Sequence, residues 1–285
     1  MTSGRRYLTR RSRGYPPLLA AIHDPPKRLY LRGEGSVEML SGPAVAIVGT
    51  RSCSPYGAHV ARRLGRELAA AGATVISGLA RGVDAEAHRG ALEAGGPTVA
   101  VLGCGIDRDY PRAHAALAHR VSELGLLVSE YEPGVEPAPW RFPARNRIIA
   151  GLAGVTVIVE ARAKSGALIT ADFALEDGRE VFAVPGEITS ALSRGTNELL
   201  RLGAAPLVEP GDVLAALGLE EAPPRRSQRL SDQASRLREL LADRSASVDE
   251  LVERSGLAAD VVAAALVELE LADEAVSAQG VFRLS

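Results

Sequence analysis

Lysine is nearly absent from this chain of 285 residues: Lys27 and Lys164 are the only two, against 31 arginines. That imbalance reads as a GC-rich coding bias rather than as arginine chemistry, so single arginines need support from their surroundings before they count as a site. Cysteine is equally scarce. Cys53 and Cys104 stand 51 residues apart, without a CxxC or a metal-ligand spacing, which excludes a disulfide framework and a zinc site. No apolar run approaches a membrane span, and Leu18–Ile22 is too short for the apolar part of a signal peptide. The expectation is a cytoplasmic protein without membrane insertion. Aromatic residues number eleven, 4% of the chain, so each one beside a polar loop is informative.

What is present is enough apolar residue, 46%, for a substantial core. The net charge of −2 is unevenly divided. Residues 1–228 hold 27 basic and 24 acidic side chains, whereas residues 229–285 hold 6 and 11. A nucleic-acid surface is therefore expected in the first part. Arg5, Arg6, Arg10, Arg11 and Arg13 all precede the first acidic residue, Asp24. This arm reads as a solvated tail, with phosphate contact as its alternative.

From Ala44 onward short β-branched runs alternate with helical patterns, the signature of a parallel sheet covered on both faces. The expected strands are Val45–Val48, Thr74–Ser77, Thr98–Leu102, Leu126–Ser129, Thr156–Glu160, Glu180–Val184 and Pro206–Val208. The expected architecture is α/β: an extended Rossmann-like, doubly wound, mostly parallel sheet with a small C-terminal winged-helix domain. Its parts are a basic arm and strap at 1–43, the Rossmann-like domain at 44–219, a Pro/Arg-rich linker at 220–228 and the winged helix at 229–285.

Ligands of such sheets sit beyond the carboxyl ends of the strands, and five loops are expected to meet there. Gly49-Thr50-Arg51 has one glycine of the dinucleotide fingerprint and an arginine at the phosphate position; Ser54 follows in the same wide, polar turn. The others are Ser77–Asp84, with Gly78 and Arg81; Gly103–Arg112; Phe142–Arg147, with Arg145, Asn146 and Arg147; and Ala163–Gly166, with Lys164. Several cations and helix N-termini around one crevice suit a chain of phosphates better than one mononucleotide. Phe142 and Trp140 lie among Arg141, Arg145 and Arg147, the interleaving found where bases stack and phosphates pair. The alternative has Phe142 plugging the sheet end and the arginines paired with Glu130 or Glu160. Asp84 and His88 form either an acid/base pair or a helix cap and a packing residue. Cys104, between two glycines, is either a nucleophile or a small turn residue.

Val45–Arg51, Ser77–Asp84 through Ala87-His88, Phe142–Ala150, Ser165–Ala171 and Val181–Gly186 together resemble the DprA/Smf family of DNA-processing proteins, over roughly residues 15–215. The resemblance implies a homodimeric protein that binds and protects single-stranded DNA and loads the RecA recombinase during natural transformation. Single-strand-binding protein is a further implied partner. It assigns no catalytic residue, cofactor or metal. Carried over by motif, Arg51 is a main phosphate contact, Arg112 a second cation and Phe142 a stacking platform. Many members carry a helical domain before the strap; here fourteen residues precede Tyr15, so that domain's function is absent or the start is truncated. The helix Ala258–Leu271, where a winged helix would read DNA, has no lysine or arginine, and Asp273 and Glu274 follow it. This module is expected to contact protein rather than to bind DNA strongly.

Two rivals remain at this point. A nucleotide phosphoribohydrolase on a related core needs a compact phosphate loop and a catalytic glutamate, but eight residues separate Pro185-Gly186 from Gly195-Thr196-Asn197-Glu198. A pure protein adaptor would keep the crevice only as a shape. The aliphatic stretch Leu199–Leu219 offers either dimer surface or core.

Overall fold

The computed structural model describes residues 6–220, 230–272, 274–278 and 280–284. Two compact units emerge, Met1–Ala222 and Pro223–Ser285. The expected linker at 220–228 falls, from residue 221 on, outside the described residues, as do Arg5 and Asp273.

In the first unit the order is β1 (Tyr7–Thr9), α1 (Pro17–Ala20), β2 (Arg28–Arg32), β3 (Ala44–Val48), α2 (Pro55–Ala70), β4 (Thr74–Ser77), α3 (Val83–Glu93), β5 (Thr98–Val101), α4 (Ala115–Leu124) and β6 (Leu126–Ser129). It continues with α5 (Arg141–Leu152), β7 (Val155–Ile158), α6 (Gly166–Glu176), β8 (Glu180–Ala183), α7 (Arg194–Arg201), β9 (Ala205–Pro206) and α8 (Pro210–Leu217). One nine-stranded sheet results, ordered β1-β2-β6-β5-β4-β3-β7-β8-β9. The seven strands from β3 to β9 pair in parallel, while β2 runs antiparallel to β6 and β1 antiparallel to β2.

Every residue of β3, β4, β5, β6 and β7 is buried. Strands buried on both faces are written as unbroken Val/Ile/Leu/Ala runs, which is why they are legible in sequence. One face packs on α2, α3 and α8 through Leu64, Leu68, Val83, Ala87, Val213 and Leu214; the other packs on α1, α5 and α6 through Leu19, Ile148, Ile149, Ala167 and Ala171. Helices α2 and α3 approach closely because Gly65 and Gly90 lack side chains. A Cβ at Gly90 would lie 2.0 Å from the Arg62 carbonyl and one at Gly65 2.2 Å from that of Ala87.

Chain order runs from β3 outward to β6, then returns to β7 on the other side of β3. The carboxyl ends of β3 and β7 thus flank a topological switch point, where an open α/β sheet leaves a crevice.

The N-terminal arm is not the solvated tail expected of it. Tyr7–Thr9 pairs with Arg28–Tyr30, Arg6 donates to the Gly33 carbonyl (3.0 Å), and Arg10 donates to the Pro25 carbonyl. Local charge hid a three-residue strand whose stability comes from a partner about twenty residues away. The last strand is also displaced: β9 is Ala205–Pro206 rather than Pro206–Val208, and Val208 is exposed.

The second unit holds α9 (Asp232–Asp243), β10 (Ala246–Ser247), α10 (Val248–Ser255), α11 (Ala259–Leu271), β11 (Ala275–Ala278) and β12 (Val281–Leu284), with sheet order β10-β12-β11. This is a winged-helix arrangement around Leu237, Leu241, Leu251, Val262, Leu266 and Leu269. Helix α11 turns Val267 and Leu271, not cations, outward.

Candidate nucleic-acid interface

The loop after β3 is held rigidly. Thr50 donates its N–H to the Glu160 carbonyl at the end of β7 (2.8 Å), and Val83 N–H donates to the Thr50 carbonyl (3.3 Å). A Cβ on Gly49 would lie 2.6 Å from Val83, and Gly82 combines φ +74° with a 2.3 Å approach to the Thr50 carbonyl, so both positions require glycine. The buried Glu160 carboxylate then accepts the Ser54 N–H (2.9 Å) and hydroxyl. With its outer segment so tethered, the loop presents Arg51 to solvent.

Phe142, in the first turn of α5, lies against Gly103, where a Cβ would come within 2.8 Å of its ring. Tyr110 stacks on it with centroids 5.2 Å apart and planes at 22°, and the Arg51 guanidinium stands 5.6 Å from the Phe142 centroid. Two cavities meet at this cluster. The larger, about 400 Å³, is lined by Gly49, Thr50, Asn146, Ser165 and Thr170. The smaller, about 310 Å³, is lined by Ser52, Gly78, Arg81, Gly103, Tyr110 and Pro111. Arg51, Ala80, Phe142 and Arg145 line both.

Arg51, Arg81, Arg112 and Lys164 are exposed, and among the described residues none has a carboxylate partner. Arg112 opens a short 3-10 turn after Pro111, and Lys164 sits at φ +61° just before the Ser165 N-cap of α6; neither lines these two cavities. Asn146 lines the larger cavity and donates to the Gly166 carbonyl (3.0 Å), joining α5 to the start of α6.

Three expected contacts have other employment. Arg145 is 4% exposed, and its guanidinium donates to the carbonyls of Gly78 (2.8 Å) and Val101, at the ends of β4 and β5. Those carbonyls hold it inward, in the wall shared by the two cavities, rather than as an outer phosphate contact. Burial draws its pKa down to about 10, which still leaves a cation at neutral pH. Arg147 makes a two-pronged pair with Glu130 (2.8 and 2.7 Å) and a further one with Asp24 (3.2 Å), and lines neither cavity. Here the alternative pairing with Glu130 is what the fold adopts. Ser54 is the N-cap of α2, its hydroxyl shared between Gly57 N–H and Glu160, and it too lies off the cavities.

Asp84 is not a helix cap. Gly82 occupies that place, and the Asp84 carboxylate instead accepts the N–H groups of Gly78 (3.1 Å) and Ala80 (3.4 Å), bracing the loop that carries Arg81. Burial pushes its carboxyl pKa up, opposed by Arg145 and those two N–H groups. Nor are Asp84 and His88 an acid/base pair. The fully buried His88 donates from Nδ1 to the Thr98 hydroxyl (2.7 Å), because that hydroxyl itself donates to the Val75 carbonyl (2.9 Å). Burial lowers the His88 pKa to about 3. The unfolded chain binds a proton near pH 6.5 and the folded one near 3, so this residue's contribution is whole above pH 6.5 and is lost as pH falls. Relative to His88→Asn, the wild-type protein should lose about 2 kcal/mol of unfolding free energy between pH 7 and pH 5 in urea titrations. Parallel pH profiles for the two proteins would refute this assignment.

Cys104 is buried, with its thiol toward the Arg108 carbonyl and its pKa raised by burial, which fits a turn residue and not a nucleophile. The pieces of the phosphoribohydrolase-like loop do meet, since Asn197 bonds both Gly186 N–H (3.2 Å) and carbonyl (3.0 Å). Glu198, however, pairs with Arg201 and lines neither cavity. Sequence reasoning missed Tyr110 as the partner of Phe142, and Glu160 as the anchor of the Arg51 loop. An aromatic beside Pro111 in a crevice loop was the available signal for the first; nothing local marks the second.

Comparison with known proteins agrees with this geometry. The family model described as DNA recombination-mediator protein A matches residues 6–218, and that of the DprA winged helix domain matches residues 221–280. Protein Smf of Escherichia coli K12 is 44% identical over 269 residues, covering 90% of this chain and 71% of that protein. The DNA processing protein DprA of Streptococcus pneumoniae R6 is 44% identical over 205 residues, 70% of each chain. Among solved structures, Streptococcus pneumoniae DprA superposes with a TM-score of 0.71 at 41% identity, covering 75% of this chain and 74% of that one. Helicobacter pylori DNA processing protein A, whose structure is described in terms of its single-stranded DNA binding mode, gives 0.67 at 34% identity, covering 76% and 98%.

Proposed function

The chain belongs to the DNA recombination-mediator protein A family, the DprA/Smf proteins, and on that premise we propose that it binds single-stranded DNA in the crevice and delivers the strand to the RecA recombinase in transformation. The observation that carries the reading is the Arg51–Phe142–Tyr110 cluster at two adjoining cavities, with the exposed cations Arg81, Arg112 and Lys164 on the loops that border them. Phosphates meet Arg51 and its neighbours while bases meet the Phe142 and Tyr110 rings. Both features recur at every nucleotide, so recognition is tolerant of sequence. The single-stranded DNA binding named for the Helicobacter pylori relative supports this reading.

Two linked crevices would hold one strand more firmly than one, without new contacts. The surface assigned to the homodimer is the β9 edge, where Leu202 (74%) and Val208 (82%) are exposed while Leu199, Leu207, Val213 and Leu214 fill the core. The winged-helix unit, with its outward Val267 and Leu271 and acidic balance, is assigned to protein contact rather than to DNA.

Oligo-dT binding by fluorescence anisotropy across a salt series tests the reading. Affinity should fall with salt, with a log–log slope of about −0.7 for each phosphate contacted. No binding at low salt would favour the adaptor. In the same assay format, RecA assembly on oligo-dT covered by single-strand-binding protein should rise with this protein; no rise would remove the delivery step.

A further inference from the structure

The basic N-terminal strap has no part in the crevice, yet it carries its own aromatic and cationic station. Residues 6–36 include seven basic side chains and two acidic ones, Asp24 and Glu34. Arg6 and Arg10 are satisfied by backbone carbonyls, which leaves their charge uncancelled, while Asp24 is taken by Arg147. On the paired strands β1 and β2, Tyr7 is 44% exposed and packs on the buried Tyr30, with centroids 5.7 Å apart. The Arg28 guanidinium stands 5.6 Å from the Tyr7 centroid and donates to the Tyr30 hydroxyl (3.4 Å).

An exposed ring with a guanidinium over it is the same chemistry as Phe142 with Arg51. A relay of contacts links the two stations. Phe142 stacks on Tyr110; the adjacent Asp109 pairs with Arg32; and Arg32, Tyr30 and Arg28 alternate along β2, so they share one face. Four residues of strand separate Arg28 from Arg32 by about 13 Å. Because β2 runs antiparallel to β6, its Arg28 end lies at the carboxyl edge of the parallel strands, the edge that carries the crevice.

We propose that Tyr7 and Arg28 form a second single-stranded-DNA contact, so that a strand leaving the crevice over Tyr110 continues along the strap. This extension rests on the crevice being the DNA site. The strand added at the sheet edge thereby lengthens the binding path, in addition to covering the edge of β6.

Labelled dT4, confined to the crevice, and dT20, able to reach the strap, separate the two stations at low salt. Tyr7→Ala and Arg28→Gln should each weaken dT20 binding about tenfold and leave dT4 binding within about twofold. Arg28→Gln should also flatten the dT20 salt slope by about 0.7. Wild-type affinity of both variants for dT20 would overturn the proposal, and so would an equal loss on dT4, which reports damage to the fold. Arg51→Ala, run alongside, should weaken both oligomers. If it weakens neither, the crevice reading fails whatever the strap variants do.

Discussion

Arg145→Met should lower the unfolding free energy by about 3 kcal/mol, although a surface arginine would cost almost nothing. The guanidinium is buried and holds the carbonyls of Gly78 and Val101. Methionine fills similar volume but leaves both carbonyls without that donor and the buried Asp84 without its cation. The guanidinium also packs directly on Gly78, where a Cβ would lie 2.5 Å from its nitrogens. Urea unfolding of the wild type, Arg145→Met, Asp84→Asn and the double variant measures the effect. The double variant should lose less than the sum of the singles, because the uncompensated carboxylate is gone. A single variant within 0.5 kcal/mol of wild type, roughly the range of surface changes, would show that the arginine is not structural.

The second large effect falls on binding and spares stability. Arg51→Ala should weaken oligo-dT binding by about 1–3 kcal/mol, the range for a charge-assisted phosphate contact, with a salt slope flatter by about 0.7. Its melting temperature should not change, because the side chain is exposed and its loop is fixed by backbone bonds to Glu160 and Val83. Arg51→Lys should recover much of the affinity but not the part owed to the guanidinium facing the Phe142 ring. Unchanged affinity in Arg51→Ala would remove this crevice as the DNA site. The contrast between Arg51 and Arg145 is the informative one: both line the two cavities, and only one should change the salt slope.

The sheet was legible because strands buried on both faces must be continuous apolar runs, and five loops at their ends must then converge. Arg51, Arg81 and Phe142 were legible for the same reason, as was Gly78 at the end of β4. The strap strands were not. Tyr7–Thr9 and Arg28–Arg32 are short, basic and non-local, so their order depends on partners that periodicity does not reveal. The role of Tyr110 was not legible either, because its stacking on Phe142 joins residues 32 positions apart.

The arginines divide most sharply. By itself the sequence determined that a doubly wound sheet would carry a cation-rich, aromatic-bearing crevice at its switch point, because periodicity and turn chemistry are local properties of the chain. Only the tertiary structure decided which cations face solvent. Arg51 does, whereas Arg145 is turned onto the strand carbonyls and Arg147 onto Glu130 and Asp24. The physical reason is that a guanidinium's role depends on which acceptors the fold places within its reach, and those acceptors come from distant strands and loops.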